Sequence, residues 1–127
     1  MIKYELEFQI RSSVKILYNC LSTPSGLSEW FADDVNSRGE DFTFILEDSE
    51  EYAKLLTKKN NELVKFMWVN DEEDYRKYFF EFLIIVDEIT KDVSLTVTDF
   101  STEDELEESK MLWDNLVSDL KQVLGSA

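Results

Sequence analysis

The sequence predicts an α+β domain: a curved antiparallel sheet of about seven strands around one long C-terminal helix, with two short helices after the first strand. Three observations predict it. Apolar and polar residues alternate at the start of the chain and again across residues 35–100. Apolar residues three and four apart fill roughly the last 24 positions, and two capping signatures stand close together in residues 12–24.

The first strand is read from KYELEFQI, residues 3–10, where Tyr4, Leu6, Phe8 and Ile10 share one face and Lys3, Glu5, Glu7 and Gln9 the other. Ser12 and Ser13 are good N-cap residues for a short amphipathic helix that carries Val14, Leu17, Tyr18 and Leu21. Thr23-Pro24 starts a second helix with a cap and a proline suited to the first helical position. Leu27, Trp30 and Phe31 then fall on one face of that helix, which Gly26 weakens and Ala32-Asp33-Asp34 soon ends.

About six strands follow. DFTFILE places Phe42, Phe44 and Leu46 on one side. EEYAKLLTKK fits either a strand with Ala53 and Leu55 facing in or a helical turn, and Asn60-Asn61 marks a turn. ELVKFMWV turns Val64, Phe66 and Trp68 inward, and NDEEDYRK (70–77) reads as a charged loop. KYFFEFLIIVDE has Phe80, Phe82, Ile84 and Val86 on one face and Phe79, Leu83 and Ile85 on the other, which suggests a central or doubly covered strand. DVSLTVTDF puts Val93, Leu95 and Val97 inward, with Ser94, Thr96 and Thr98 outward.

The final helix is capped by Ser101 or Thr102, with Glu103, Asp104 and Glu105 in its first turn, where the helix dipole favours negative charge. Its stripe runs through Leu106, Trp113, Leu116, Leu120 and Val123 or Leu124, widened by Leu112 and Val117, and Gly125 closes it.

Composition bounds the function. A length of 127 residues fits one domain, 1–127, with one core, and 43% hydrophobic and 13% aromatic residues suffice to close it. The net charge of −15 repels phosphate backbones and anionic membranes, so neither nucleic acid nor a membrane surface is an expected partner. A basic protein partner or plain solubility suits that charge. No apolar run approaches the roughly 20 residues of a membrane helix. The alternating N-terminus is no signal core, and a lone cysteine, Cys20, suits a reducing compartment, so a cytoplasmic location is expected. Histidine is absent, which rules out a Ser-His-Asp or Cys-His arrangement within the chain.

Residues 12–31, SSVKILYNCLSTPSGLSEWF, resemble the early segment of the START-like (Bet v 1-like, SRPBCC) helix-grip superfamily, in particular its activator-of-Hsp90-ATPase-like branch. There a small residue caps the first helix, a Thr/Asp-Pro pair opens the second, and a tryptophan follows; Ser13, Thr23, Pro24 and Trp30 occupy those places. Asp33-Asp34 and the terminal helix with Trp113 look like a small acidic bacterial START-like group. The resemblance implies the helix-grip fold and an interior cavity for an apolar molecule.

Several residues are candidates for lining such a cavity. Trp30, Phe31, Phe66, Trp68, Phe82 and Trp113 converge from strand faces, short helices and long helix, and Leu46, Leu95 and Leu116 share their faces. The competing reading is that these rings simply fill a dense core. Asp33, Asp34 and Asn36 invite comparison with a calcium loop, but a loop begun at Asp34 has Arg38 fifth and Ile45 twelfth, so no metal is expected. No cofactor is expected either. The acidic clusters at 47–51, 71–74 and 103–108 could meet a basic partner, or a second copy could pair at a sheet edge. Asp99 shares the parity of the inward residues of its strand, and no pair of acids is seen to converge for catalysis.

Overall fold

The computed structural model describes residues 1–69 and 78–125. The chain runs β1 (Ile2–Ile10), α1 (Val14–Ser22), α2 (Pro24–Leu27), β2 (Asp34–Arg38), β3 (Asp41–Leu46), β4 (Ser49–Lys59), β5 (Leu63–Val69), β6 (Phe79–Val86), β7 (Val93–Ser101) and α3 (Leu106–Val123). All seven strands form one antiparallel sheet in the order β1-β7-β6-β5-β4-β3-β2. The expected α+β architecture is therefore present, with the first strand returning to pair beside the last. The loop read at 70–77 lies outside the described residues.

Register explains the core. Residues directly opposite on neighbouring antiparallel strands share a face, and one inner row can be followed across the sheet. It pairs Leu6 with Val97, Val97 with Phe82 and Phe82 with Val64. A second row joins Phe80 to Phe66 and Phe66 to Leu55. Phe66, Phe80, Phe82, Leu95 and Val97 are completely buried on this face. The ambiguous segment 50–59 is thus a strand; Ala53 is buried, and a bulge between Leu55 and Thr57 leaves Leu56 exposed.

The two short helices are pinned as their caps predict. Ser13 Oγ accepts the Ile16 amide at 3.2 Å, and Thr23 Oγ1 accepts the Gly26 amide at 3.0 Å while donating to the Asn19 carbonyl at 2.9 Å. One expected boundary moves: α2 ends at Leu27, so Trp30 and Phe31 stand on a turn beyond it. The Leu27 carbonyl accepts the Phe31 amide at 2.9 Å, and Trp30 Nε1 donates to the Cys20 carbonyl at 2.8 Å. That turn, rather than a helix face, aims the two rings.

Other readings are narrowed. Residues 34–38 form β2 although they show no apolar alternation; pairing with β3 makes them a strand. β6 is an interior strand, but among the described residues its outer face has no second layer: Ile85 is exposed, and the Phe79 ring is screened by Lys65 Nζ, 4.0 Å from its centroid. Val86 is exposed at the strand end, and Thr98 faces outward opposite Glu5 and Glu81, as expected, yet is buried among the neighbouring strands. α3 begins at Leu106 with no side-chain cap on Glu105; Thr102 Oγ1 instead accepts the Glu105 amide at 3.3 Å in a preceding turn. Its fully buried stripe is only Trp113, Val117 and Leu120, while Leu112 and Val123 are exposed.

Gly26 marks where α2 crosses α1. A Cβ there would stand 2.3 Å from the Asn19 carbonyl oxygen and 2.7 Å from the Cys20 Cα, both backbone atoms that cannot swing aside. Gly39, in the β2–β3 turn, has φ +64° and open space around it. Gly26→Ala should therefore cost the overpacking penalty of about 1–3 kcal/mol or more. Gly39→Ala should cost about 1 kcal/mol through its backbone alone. Urea unfolding of both variants checks this; equal midpoints would refute the close-packing role of Gly26.

Candidate functional site

Because the helix buries so narrow a stripe, it does not cover the whole concave face. A cavity of about 530 Å³ remains between α3 and the strands at the β3–β5 side. Phe31, Phe44, Leu46, Trp68, Trp113 and Leu116 supply its apolar wall. Exposed Met1, Val69 and Leu112 stand at its margin. Pockets of roughly 300–1,000 Å³, mostly apolar with a few placed polar groups, are the usual size and character of small-molecule sites.

Phe31 organises the wall. Its ring centroid lies 5.0 Å from Phe44, 5.4 Å from Phe80 and 5.9 Å from Trp113, so the turn after α2 touches β3, β6 and α3 through one side chain. Trp68 closes on Phe80 at 4.7 Å and on Phe44 at 6.0 Å. Edge-to-face and offset arrangements of this kind are worth about 0.5–1.5 kcal/mol per pair beyond area burial.

The polar groups of the cavity are few and acidic. Asp99 lines it from β7 and Glu51 from β4, and Tyr78 adds a phenol. Register accounts for both acids: Glu51 is directly opposite Phe44, and Asp99 directly opposite Tyr4, so each falls on the inner face. Asp99 Oδ2 accepts Trp113 Nε1–H at 2.8 Å, and Oδ1 accepts the Phe100 amide at 2.7 Å. Beside it the Tyr4 hydroxyl is hydrogen-bonded to Ser109 Oγ on α3. Burial pushes the Asp99 carboxyl above its ordinary value, and the bonds from Trp113, Phe100 and Tyr4 only partly offset that. Burial, and the Asp99 charge to a smaller degree, raise Tyr4 as well.

Of the nine residues expected at a ligand site, Phe31, Leu46, Trp68, Trp113 and Leu116 lie on the cavity wall. Trp30, Phe66, Phe82 and Leu95 are packed in the core instead, as the competing reading of these rings has it. Phe66 is held between Phe42 and Phe80, each 5.0 Å away, and Phe82 lies under Trp30 and Trp113. Phe44, Glu51, Tyr78 and Asp99 are the wall residues that the expected set lacks. Strand parity could have found Phe44 and Asp99; for Glu51 the strand itself was ambiguous. Cys20 is buried and its thiol is pushed up by that burial and by Glu29, which keeps it protonated and unreactive. Among the described residues no cluster of three or more His, Cys, Asp or Glu could hold a metal ion, and no helix is long and apolar enough to cross a membrane.

A curved sheet gripping a terminal helix over such a cavity has relatives. A profile of the START-like superfamily domain matches residues 1–126. The chain belongs to the START-like superfamily. Membership makes it one of a family of ligand-binding domains. The solution structure of the Aha1 dimer from Colwellia psychrerythraea superposes with a TM-score of 0.84 at 19% identity, over 98% of this chain and 96% of that one. The Mesorhizobium loti protein MLL2253 gives 0.80 at 17% identity, over 98% and 97%. BfR322 from Bacteroides fragilis is more similar in sequence, 34% identical over 96% of this chain and 90% of that one, with a TM-score of 0.65. No curated protein matches the chain.

In this START-like domain the partly buried Asp99 makes stability depend on pH. Its folded-state pKa is raised, so the folded protein holds the proton more tightly than the unfolded chain. The resulting stabilisation is complete below the unfolded value and is lost as pH rises through the folded one. Tyr4, the other titrating group against it, is raised further into the alkaline range and stays neutral throughout. Asp99→Asn keeps an acceptor for Trp113 but cannot ionise. The difference in Tm, variant minus wild type, should therefore grow as pH rises from about 4 to 7. A difference that is flat or shrinks over that range would show that Asp99 ionises in the fold without penalty.

Proposed function

We propose that this protein binds a small, largely apolar molecule in the cavity between α3 and the concave face of the sheet. The observation that carries the reading is the cavity of about 530 Å³ left beside Phe31, Trp68 and Trp113 after the core rings have packed. Phe66, Phe80 and Phe82 are already completely buried, so the space is not a defect in their packing. Its lining atoms lack contact partners on one side, and an apolar occupant would restore them. Membership of a ligand-binding family agrees with this.

The superposing Colwellia protein is a dimer. In the present chain β1 and β2 are the two edge strands of the sheet, where a second copy could pair by strand addition. We place a homodimer beside ligand binding as a compatible arrangement, which sedimentation equilibrium of the purified chain measures directly.

Trp68 and Trp113 make the cavity self-reporting. Titration with N-phenyl-1-naphthylamine, a neutral apolar probe, should quench tryptophan emission and enhance probe emission with saturation. Leu116→Trp introduces an indole into the same space and should weaken binding at least about tenfold, with Tm changed by no more than about 4–8 °C. An absence of saturable binding in the wild type, for this probe and for simple alkyl amphiphiles alike, would refute the ligand-binding reading. Unchanged binding in Leu116→Trp would move the probe to another place on the protein.

A further inference from the structure

Resting on the ligand-binding reading, we propose that the molecule held in this cavity carries a cationic head, an amine or a group of equivalent charge, seated on the Asp99 carboxylate, and that the cavity rejects carboxylate-headed molecules such as fatty acids. The lining is asymmetric in charge: two acids, Asp99 and Glu51, and no lysine or arginine side chain among the described residues. A fatty acid would bring a third negative charge against these two acids, where like-charge repulsion and desolvation at the apolar wall both oppose it.

Asp99 has capacity left for an incoming donor. A carboxylate offers about four acceptor sites. Trp113 Nε1 and the Phe100 amide take one each, and Tyr4 is the remaining neighbour that acts on it. None of these donors carries a positive charge, so among the described residues the carboxylate stands on the wall of the cavity without a counter-ion. A ligand ammonium would supply the missing charge and a charge-assisted hydrogen bond together. The rings of Trp68, Trp113 and Tyr78 share the wall, and their faces attract cations as well as apolar chains. The protein's net charge of −15 acts in the same sense, raising the local concentration of cations and lowering that of anions.

Three probes with one tail isolate the head group: n-decylamine, n-decanol and decanoate, titrated calorimetrically into the full chain below their micelle concentrations at neutral pH. Decylamine should bind at least about tenfold more tightly than decanol, and decanoate should bind more weakly than both. In Asp99→Asn the advantage of the amine over the alcohol should fall to less than about threefold. If Asp99→Asn fails to fold, the wild-type order of the three probes and its decline in high salt decide the charge preference.

Decanol or decanoate binding as tightly as decylamine would overturn the cationic preference while leaving the cavity reading intact. An amine advantage that survives Asp99→Asn would overturn the assignment to Asp99. Silence from all three probes, together with silence from the neutral naphthylamine, would overturn the ligand-binding reading and this inference with it.

Discussion

One helix cannot cover a concave sheet of large rings, and the architecture follows from how that mismatch is met. α3 contributes just three fully buried side chains, Trp113, Val117 and Leu120, to a face that carries Phe42, Phe44, Phe66, Phe80 and Phe82. Phe31 bridges part of the gap. Delivered by the turn after α2, its ring stands between Phe44 on β3, Phe80 on β6 and Trp113 on α3. Where Phe31 ends, the helix and the strands stay apart, and the cavity is the remainder. The close crossing at Gly26 belongs to the same constraint, because α1 and α2 must pack tightly for the turn to reach the middle of the sheet.

The second fastening of the helix is polar. Tyr4 on β1 meets Ser109 on α3, and Asp99 on β7 meets Trp113 one turn further along the helix. These contacts fix both the rotation of α3 and its distance from the sheet edge. A hydrogen bond to a charged group contributes about 1.5–3 kcal/mol, against a comparable or larger cost of burying the carboxylate. The raised pKa of Asp99 says that the cost is not fully met by the donors the fold provides. A purely structural role would be served as well by an uncharged acceptor such as asparagine.

Much of this fold was legible from period and punctuation. Alternation in residues 3–10, 62–69 and 92–100 identified strands and also which residues face in, because a pleated strand has only two faces. The caps at Ser13 and Thr23 were legible because side chain and backbone there are in direct hydrogen-bonding reach. β2 was not, since a polar edge strand is made by its partner and carries no pattern of its own. Nor was the end of α2: Trp30 and Phe31 keep helical spacing, yet they sit on a turn gathered around the Leu27 carbonyl. The site was half legible for a related reason. Parity tells which face a side chain takes but not what lies above it. Phe66 and Trp68 therefore looked alike, and only the position of α3 and Phe31 separates the ring that fills the core from the ring that borders space.

Cavity and carboxylate belong together mechanically as well as spatially. Trp113 is at once the largest side chain that seats the helix, a wall of the cavity and the donor to Asp99. Whatever enters the cavity therefore acts on the same ring and the same carboxylate that hold α3 to the sheet. A binding event that occupies the folded state alone adds its free energy to folding by mass action. In this domain that gain would pass through the helix grip itself. Under the proposed reading, ligand affinity and the seating of α3 would be two measures of one set of contacts, because the groups proposed to recognise the occupant are also the groups that close the fold.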